Sequence, residues 1–484
     1  MSMYDVAIIG AGIVGSCLAY ECSRYALKVL LLEKENDVSL GASRANTAII
    51  HGGYDPDPKS LMGQLNVAGA YLTMDRVKTL DVEFKKTGSL IVGFDSEDAQ
   101  VIQEKYNRGL ENGVKGMQIL SGEEARQREA HLSPEVTMAL WVPDSGVINP
   151  WEFTLAHAEV AVREGVDLKL EQEVTSISWQ DDHYLVQAGE ASFAARYVVN
   201  CAGVHADTIH NMVAPPAYKI EPTRGQYYVL DRAAGDLVHS VIFPCPKAFT
   251  KGILVAPTVH GNILVGPDAE RIEDPEDTDT TAAGLSHVAQ DATRCVPSLN
   301  LRSNIRNYAG IRANSDYGDF FLKIVAPHFL DIAAIKSPGL TCAPVLAQEG
   351  VKLLQGEGLT CLPKTAWDGK RQVVRFKEIP EEDRQAFIAD HPAYGRVICR
   401  CETITEGEII AALKRGLPVV SLDGVKRRTG TGMGRCQGGF CGPRILEILC
   451  RETGISPEEI TQDKAGSYIL CGPTKGASCE EIKA

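Results

Sequence analysis

The run Val6-Ala7-Ile8-Ile9 is apolar without interruption, breaks at Gly10, Gly12 and Gly15, and is answered by a second apolar run at 29–32. Short apolar runs bounded by turn residues predict strands buried on both faces, so residues 4–33 read as strand, glycine turn, helix and strand, one βαβ opening. Alternating strand and helix signals continue to about residue 355. Residues 152–164 predict a helix, 197–200 a short buried strand, and 227–230 and 262–265 sheet segments. The pattern weakens over 358–394, where Pro363, Pro380 and Pro392 lie in or beside a charged stretch, and this reads as a connector. Beyond it, helical segments at 406–415 and 443–452 bracket a glycine-rich loop at 424–439.

A chain of 484 residues requires two or three cooperating domains. Its formal charge of -14 argues against a nucleic-acid binder, which must neutralise phosphates over a broad face, and leaves room for small anionic ligands in a local basic pocket. No run of about 18 apolar residues predicts a membrane span. The opening Met1-Ser2-Met3-Tyr4-Asp5 lacks the basic start of a secretory signal. The expected location is cytoplasmic, with any membrane association made through a partner. Fourteen cysteines are spread along the chain, and four have metal-ligand spacing, which fits a reducing compartment better than a disulfide framework.

Gly10-Ala11-Gly12-Ile13-Val14-Gly15 follows the first strand and opens a helix. The first glycine permits a tight turn, the second lets backbone approach a pyrophosphate, and the third lets helix and strand pack closely. Glu33 ends the second strand, where a carboxylate accepts from ribose hydroxyls and repels the 2'-phosphate of NADP. The motif by itself does not choose between FAD and NAD.

Gly41-Ala42-Ser43-Arg44-Ala45-Asn46-Thr47-Ala48-Ile49-Ile50-His51-Gly52-Gly53, Pro143-Asp144-Ser145-Gly146, Asn200-Cys201-Ala202-Gly203, Arg224-Gly225-Gln226-Tyr227 and Ser337-Pro338-Gly339-Leu340-Thr341 resemble the D-amino-acid-oxidase superfamily of flavoproteins. Within it the chain is most similar to the glycerol-3-phosphate dehydrogenase and L-2-hydroxyglutarate oxidase branches. The resemblance implies an α/β fold: a Rossmann-like FAD-binding domain (about 1–80, 140–215 and 300–357) with an interleaved α+β substrate domain (about 81–139 and 216–299). It implies FAD, contacted by Gly10, Gly12, Gly15, Glu33, Ser43, Arg44, Asn46, Thr47, Val174, Ala202 and Gly203, with Gly339, Leu340 and Thr341 closing over the isoalloxazine. N–H donors there can hold negative charge on the ring. Gly430-Thr431-Gly432-Met433-Gly434 superficially resembles a second nucleotide fingerprint, but no buried strand precedes it and it runs into Cys436.

Cys399-Arg400-Cys401 and Cys436-Gln437-Gly438-Gly439-Phe440-Cys441 form C-x-C and C-x4-C pairs. Four thiolates supply two ligands to each iron of a [2Fe-2S] cluster; a tetrahedral zinc site uses the same ligands. Together with Thr403-Ile404-Thr405-Glu406 and Gly442-Pro443-Arg444, the pairs resemble the bacterioferritin-associated-ferredoxin type of domain. That implies a small, mainly helical [2Fe-2S] domain over 395–452, ligated by Cys399, Cys401, Cys436 and Cys441, and a tail at 453–484. Residues 395–450 hold nine Lys and Arg against five Asp and Glu, a local balance of +4 that suits an anionic cluster. Lys426-Arg427-Arg428 reads as a docking face for an electron-accepting protein subunit.

His51 matches the Ile-His-Gly-Gly segment of glycerol-3-phosphate dehydrogenases, and a neutral imidazole can take the hydroxyl proton of a secondary alcohol as hydride leaves for the flavin. Arg312, in Ala309-Gly310-Ile311-Arg312-Ala313, matches the arginine this superfamily presents to the substrate anion, phosphate or carboxylate alike. Ala313 and Asp319-Phe320 look more like the hydroxyglutarate-oxidase style, and Lys336 is a further candidate for facing flavin or substrate. Joining this flavin fold to this cysteine domain is most similar to the large-subunit family of anaerobic glycerol-3-phosphate dehydrogenases. The expected reaction is oxidation of sn-glycerol 3-phosphate, with electrons leaving singly through the cluster. A 2-hydroxy-acid or amino-acid dehydrogenase is the same-class alternative, and an electron-transfer subunit without its own substrate site the different-class one.

Overall fold

The computed structural model describes residues 3–246 and 252–472, which fall into two compact units. One comprises Met1–Leu32 and Ser39–Arg371, the other Glu33–Val38 and the chain from Gln372 onward.

In the first unit, the opening strand Met3–Ile9 lies between Val29–Leu32 and Ala191–Asn200, parallel to both. Val6, Ala7 and Ile8 are fully buried, as a central parallel strand covered on both faces requires. The eight-stranded sheet runs 174–180, 183–188, 191–200, 3–9, 29–32, 167–169, with Phe329–Ala333 along the end of Ala191–Asn200 and Phe321–Ala326 beyond it. Helix Ile13–Cys22 is buried at every position, packed on Pro150–Arg163 and Gly339–Gly356. The carboxyl ends of the parallel strands therefore open at the glycine turn.

A nine-stranded, mostly antiparallel sheet makes the other half of this unit. Its core joins Leu90, Val92, Val255 and Val265 to Val288 and Ala292 of helix Ala282–Cys295. Strand Asn304–Ser315 pairs along its length with Ile220–Leu230. The expected boundary at residue 300 falls just ahead of a strand that pairs into the nine-stranded sheet. Local pattern cannot tell which sheet a strand will join, because the ladder is made to residues about 85 positions away.

In the second unit, helices Glu381–Asp390, Glu406–Leu413, Leu422–Thr429 and Gly442–Thr453 accompany a core of Ile398, Ile404, Ile409, Val425, Ile445, Leu449 and Ile460. The loop expected at 424–439 thus begins as helix, capped by the Ser421 hydroxyl on Gly424 N at 2.9 Å and ended by Gly430 at φ +80°. Part of the expected connector also belongs here: Phe376 is buried and its N–H donates to Glu408. So does the start of the tail, through buried Ile460 and Thr461. No described helix is long and apolar enough to cross a membrane.

Candidate functional site

Glycine is required where the first strand turns into its helix. Gly10 has φ +102°, and a Cβ there would lie 2.5 Å from the Cys201 carbonyl oxygen; one on Gly15 would lie 1.9 Å from that of Gly10. Gly12 is the N-cap and the first turn carries no acidic residue, so the positive end of the helix is uncompensated. Ser43 accepts from Ile13 N at 2.9 Å. Ser39, which the sequence reading missed, donates its backbone N–H to Ala11 O at 3.2 Å, while its buried hydroxyl has no partner among the described residues. A pyrophosphate fits this set of fixed backbone, helix N-terminus and spare hydroxyl.

The other expected cofactor residues divide into two kinds. Glu33 follows directly on Val29–Leu32, and its Oε1 accepts from Glu35 N at 3.1 Å. Val174 shares an apolar cluster with Ile9 and Leu32, against which Ala202 packs. Gly203 has φ +60° with open space where a Cβ would point. Helix Gly339–Gly356 starts without an acidic residue, so Gly339, Leu340 and Thr341 offer a second positive terminus. Asn46 is instead engaged within its own turn: its amide donates to Ala42 O and Ser43 O, both at 3.0 Å, and its carbonyl accepts from Ala48 N at 2.7 Å. Arg44 accepts from the Trp151 indole at its carbonyl, at 2.7 Å, and Thr47 reaches the Tyr227 hydroxyl at 3.4 Å.

His51 follows strand Ile49–Ile50 and is fixed from three directions. Its N–H donates to Thr341 Oγ1 at 3.0 Å, its carbonyl accepts from Asn66 at 2.9 Å, and its Nε2 lies 3.1 Å from Ser337 Oγ. Ser337 and Asn66 escaped the sequence reading; Ser337 stood inside a quoted motif, whereas Asn66 carries no local signal. Lys336 is half-buried, and its carbonyl accepts from Gly339 N at 2.6 Å.

Arg312 lies on the strand face it shares with Tyr308 and Gly310, because alternate residues point the same way. That face meets the turn at residues 45–46: Tyr308 OH donates to Asn46 O at 2.9 Å, and a Cβ on Gly310 would lie 2.0 Å from Ala45 O. Tyr227 stacks on Tyr308 with ring centroids 4.6 Å apart. The Arg312 guanidinium lies over Gly225, whose added Cβ would meet Nη2 at 2.6 Å, and its hydrogen bond is a long one to Asp268 O, 3.3 Å. Among the described residues no carboxylate pairs with it, which leaves a cation with fork geometry for an anion.

In the second unit, the thiols fall into two pairs. Cys401 and Cys436 have Sγ atoms 3.8 Å apart, and the Cys441 thiol donates a hydrogen bond to Cys399, whose thiol it holds down to about 6, helped by N–H groups of Gly432, Glu402 and Cys401. Among the described residues no three His, Cys, Asp or Glu side chains converge on one ion. Two pairs suit two irons with two thiolates each better than one tetrahedral ion.

The expected docking face at Lys426-Arg427-Arg428 is corrected. All three are buried in helix Leu422–Thr429, and their charges are met by Asp423, Asp37 and Asp463 at 2.7–2.9 Å. Buried cations survive only when paired; Lys426 finds its carboxylate one helical turn away, whereas Arg427 and Arg428 meet Asp37 from far along the chain.

Residues 5–353 match the model of the FAD dependent oxidoreductase family, and residues 397–451 that of the BFD-like [2Fe-2S] binding domain. The chain is 44% identical to a glycerol 3-phosphate dehydrogenase of Caloramator mitchellensis over 98% of its own length and 99% of that protein. It is 33% identical to a glycerol 3-phosphate oxidase of Mycoplasma genitalium over 73% of this chain and 95% of the other. Among solved structures it resembles the dithionite-reduced L-alpha-glycerophosphate oxidase of Mycoplasma pneumoniae with FAD bound, at 32% identity and a TM-score of 0.74, covering 78% of this chain and all of that one.

Proposed function

Since the chain belongs to the FAD-dependent oxidoreductase family and carries a BFD-like [2Fe-2S] binding domain, we propose that it oxidises sn-glycerol 3-phosphate to dihydroxyacetone phosphate and passes the electrons singly to a partner protein. The observation that carries the substrate assignment is Arg312, an arginine with no carboxylate partner among the described residues, on the strand face that meets the turn at residues 45–46. The likeness in sequence to a glycerol 3-phosphate dehydrogenase over nearly the whole chain supports phosphate as its anion.

FAD, when bound, accepts the hydride, and the cluster accepts electrons one at a time. The chain's own residues do the rest. Gly10, Gly12, Gly15, Ser39 and Ser43 receive the pyrophosphate, Glu33 the ribose, and Gly339 to Thr341 the far edge of the ring. Arg312 binds the substrate phosphate. His51 takes the hydroxyl proton on its imidazole, with Ser337, 3.1 Å from Nε2, fixing the ring's orientation and Thr341 and Asn66 fixing its backbone. Cys399, Cys401, Cys436 and Cys441 hold the cluster. We place the reaction in the cytoplasm, with any tie to a membrane made by the partner.

Anaerobic flavin bleaching tests the substrate. Glycerol 3-phosphate should bleach fastest among itself, 2-hydroxyglutarate, lactate and amino acids. Preference for 2-hydroxyglutarate would reassign Arg312 to a carboxylate, and no bleaching by any of them would leave an electron-transfer subunit.

A further inference from the structure

The rim of the cysteine site is uneven. Cys399 and Cys441 are about 1% exposed, whereas Cys401 and Cys436 reach the surface. Two thiolates about 2.3 Å from one tetrahedral ion stand roughly 3.8 Å apart, which is the separation of the exposed pair. Gly434 allows that approach, since a Cβ there would lie 2.2 Å from Cys401 Cβ.

Beside the exposed pair stand two side chains that the described residues leave uncovered. Phe440 is 71% exposed, and the Arg400 guanidinium lies 5.4 Å from its ring centroid. Arg400 makes no ion pair among the described residues, and exposed Arg435 precedes Cys436. The buried arginines of helix Leu422–Thr429 are already matched by carboxylates. In a chain of net charge -14, this rim therefore presents positive charge and an aromatic side chain next to the accessible sulfurs. Arginine and large aromatics are the residue types that dominate binding energy at protein interfaces.

We propose that the rim of Arg400, Cys401, Cys436 and Phe440 docks an acidic one-electron carrier protein, and that electrons leave through the iron held by Cys401 and Cys436. This rests on the reading above that a protein takes the electrons. Each encounter oxidises the cluster by one electron and reduces the carrier by one. Two encounters clear the pair taken from one substrate molecule, and its two protons go to solvent.

The test uses the full holoprotein, photoreduced without oxygen, with acidic cytochrome b5 and basic cytochrome c as probes. Cytochrome b5 should react faster than cytochrome c at low salt, and the difference should close as salt is added. Arg400→Glu should slow the b5 reaction about tenfold at low salt, and Phe440→Ser should slow it at every salt concentration. Calorimetry with resting, oxidised proteins should show b5 affinity falling in parallel, while iron per chain and flavin bleaching stay as in wild type. Both variants within twofold of wild type, with iron intact, would put the docking surface elsewhere and leave a protein acceptor standing. A wild type faster with cytochrome c would overturn the acidic partner. Neither cytochrome reduced in the absence of oxygen, with rapid reoxidation once air is admitted, would remove the protein acceptor itself, and the rim's role with it.

Discussion

Arg428 grips Asp37 end-on, with Nη2 2.7 Å from Oδ1 and Nη1 2.8 Å from Oδ2, and Arg427 adds a third bond to Oδ2 at 2.7 Å. Removing the carboxylate would strand buried positive charge, so Asp37→Ala should destabilise the second unit by about 3–5 kcal/mol. Burial pushes the Asp37 carboxyl up, and the two arginines outweigh it and hold the group below its ordinary value. A depressed carboxyl contributes fully above its unfolded value, near 3.9, and its contribution is lost as pH falls through the folded value. Denaturation curves for wild type and Asp37→Asn should therefore differ most near neutrality and converge in acid below about pH 4. A gap that stays constant from pH 7 to 3 would sink the ionic account.

His51 and Arg312 should fail differently. His51→Ala should slow flavin bleaching by about 10²–10⁴-fold with little change in substrate Kd. Arg312→Ala should weaken glycerol 3-phosphate by roughly 10–100-fold, the worth of charge-assisted hydrogen bonds, with a smaller effect at saturation. Stopped-flow traces across substrate concentration separate the two. An unchanged rate in the histidine variant at every pH would leave His51 a structural residue.

Gly15→Ala should yield protein depleted of FAD. The new methyl would fall 1.9 Å from Gly10 O, so the helix must move off the turn that receives the pyrophosphate. Flavin per chain, read from the visible spectrum, checks it, and full occupancy would show that the turn can relax.

Cys436→Ser should abolish the cluster and spare the flavin chemistry. Wild type prepared anaerobically should hold about two irons per chain, and the variant close to none while substrate still bleaches its flavin. Zinc in place of iron in the wild type would return the site to the tetrahedral alternative.

What the sequence discloses here is whatever repeats locally. The apolar run before Gly10 and the spacing of Cys399, Cys401, Cys436 and Cys441 are carried by neighbours in the chain, and both were legible. Burial of Arg427 and Arg428 depends on Asp37, about 390 positions earlier, so three consecutive basic residues looked like an exposed docking face. Ser337 and Asn66 hold His51 from 286 and 15 positions away, with no period to mark them. Asn46, chosen by resemblance, has its amide engaged by backbone of its own turn, a detail only geometry reveals.

Helix Gly339–Gly356 packs on helix Ile13–Cys22, so the fold around the first glycine turn closes only when its last wall has left the ribosome. At 5–20 residues per second that is roughly 20–70 s after synthesis begins. Until then the apolar opening strand and its helix stay unfinished and depend on chaperones or partial pairing with Ala191–Asn200. Asp37 waits longer still, because Arg427 and Arg428 follow by about seventy residues more. Ribosomes stalled just before Cys399 should therefore carry chains that retain flavin before they have any cysteine ligand for iron.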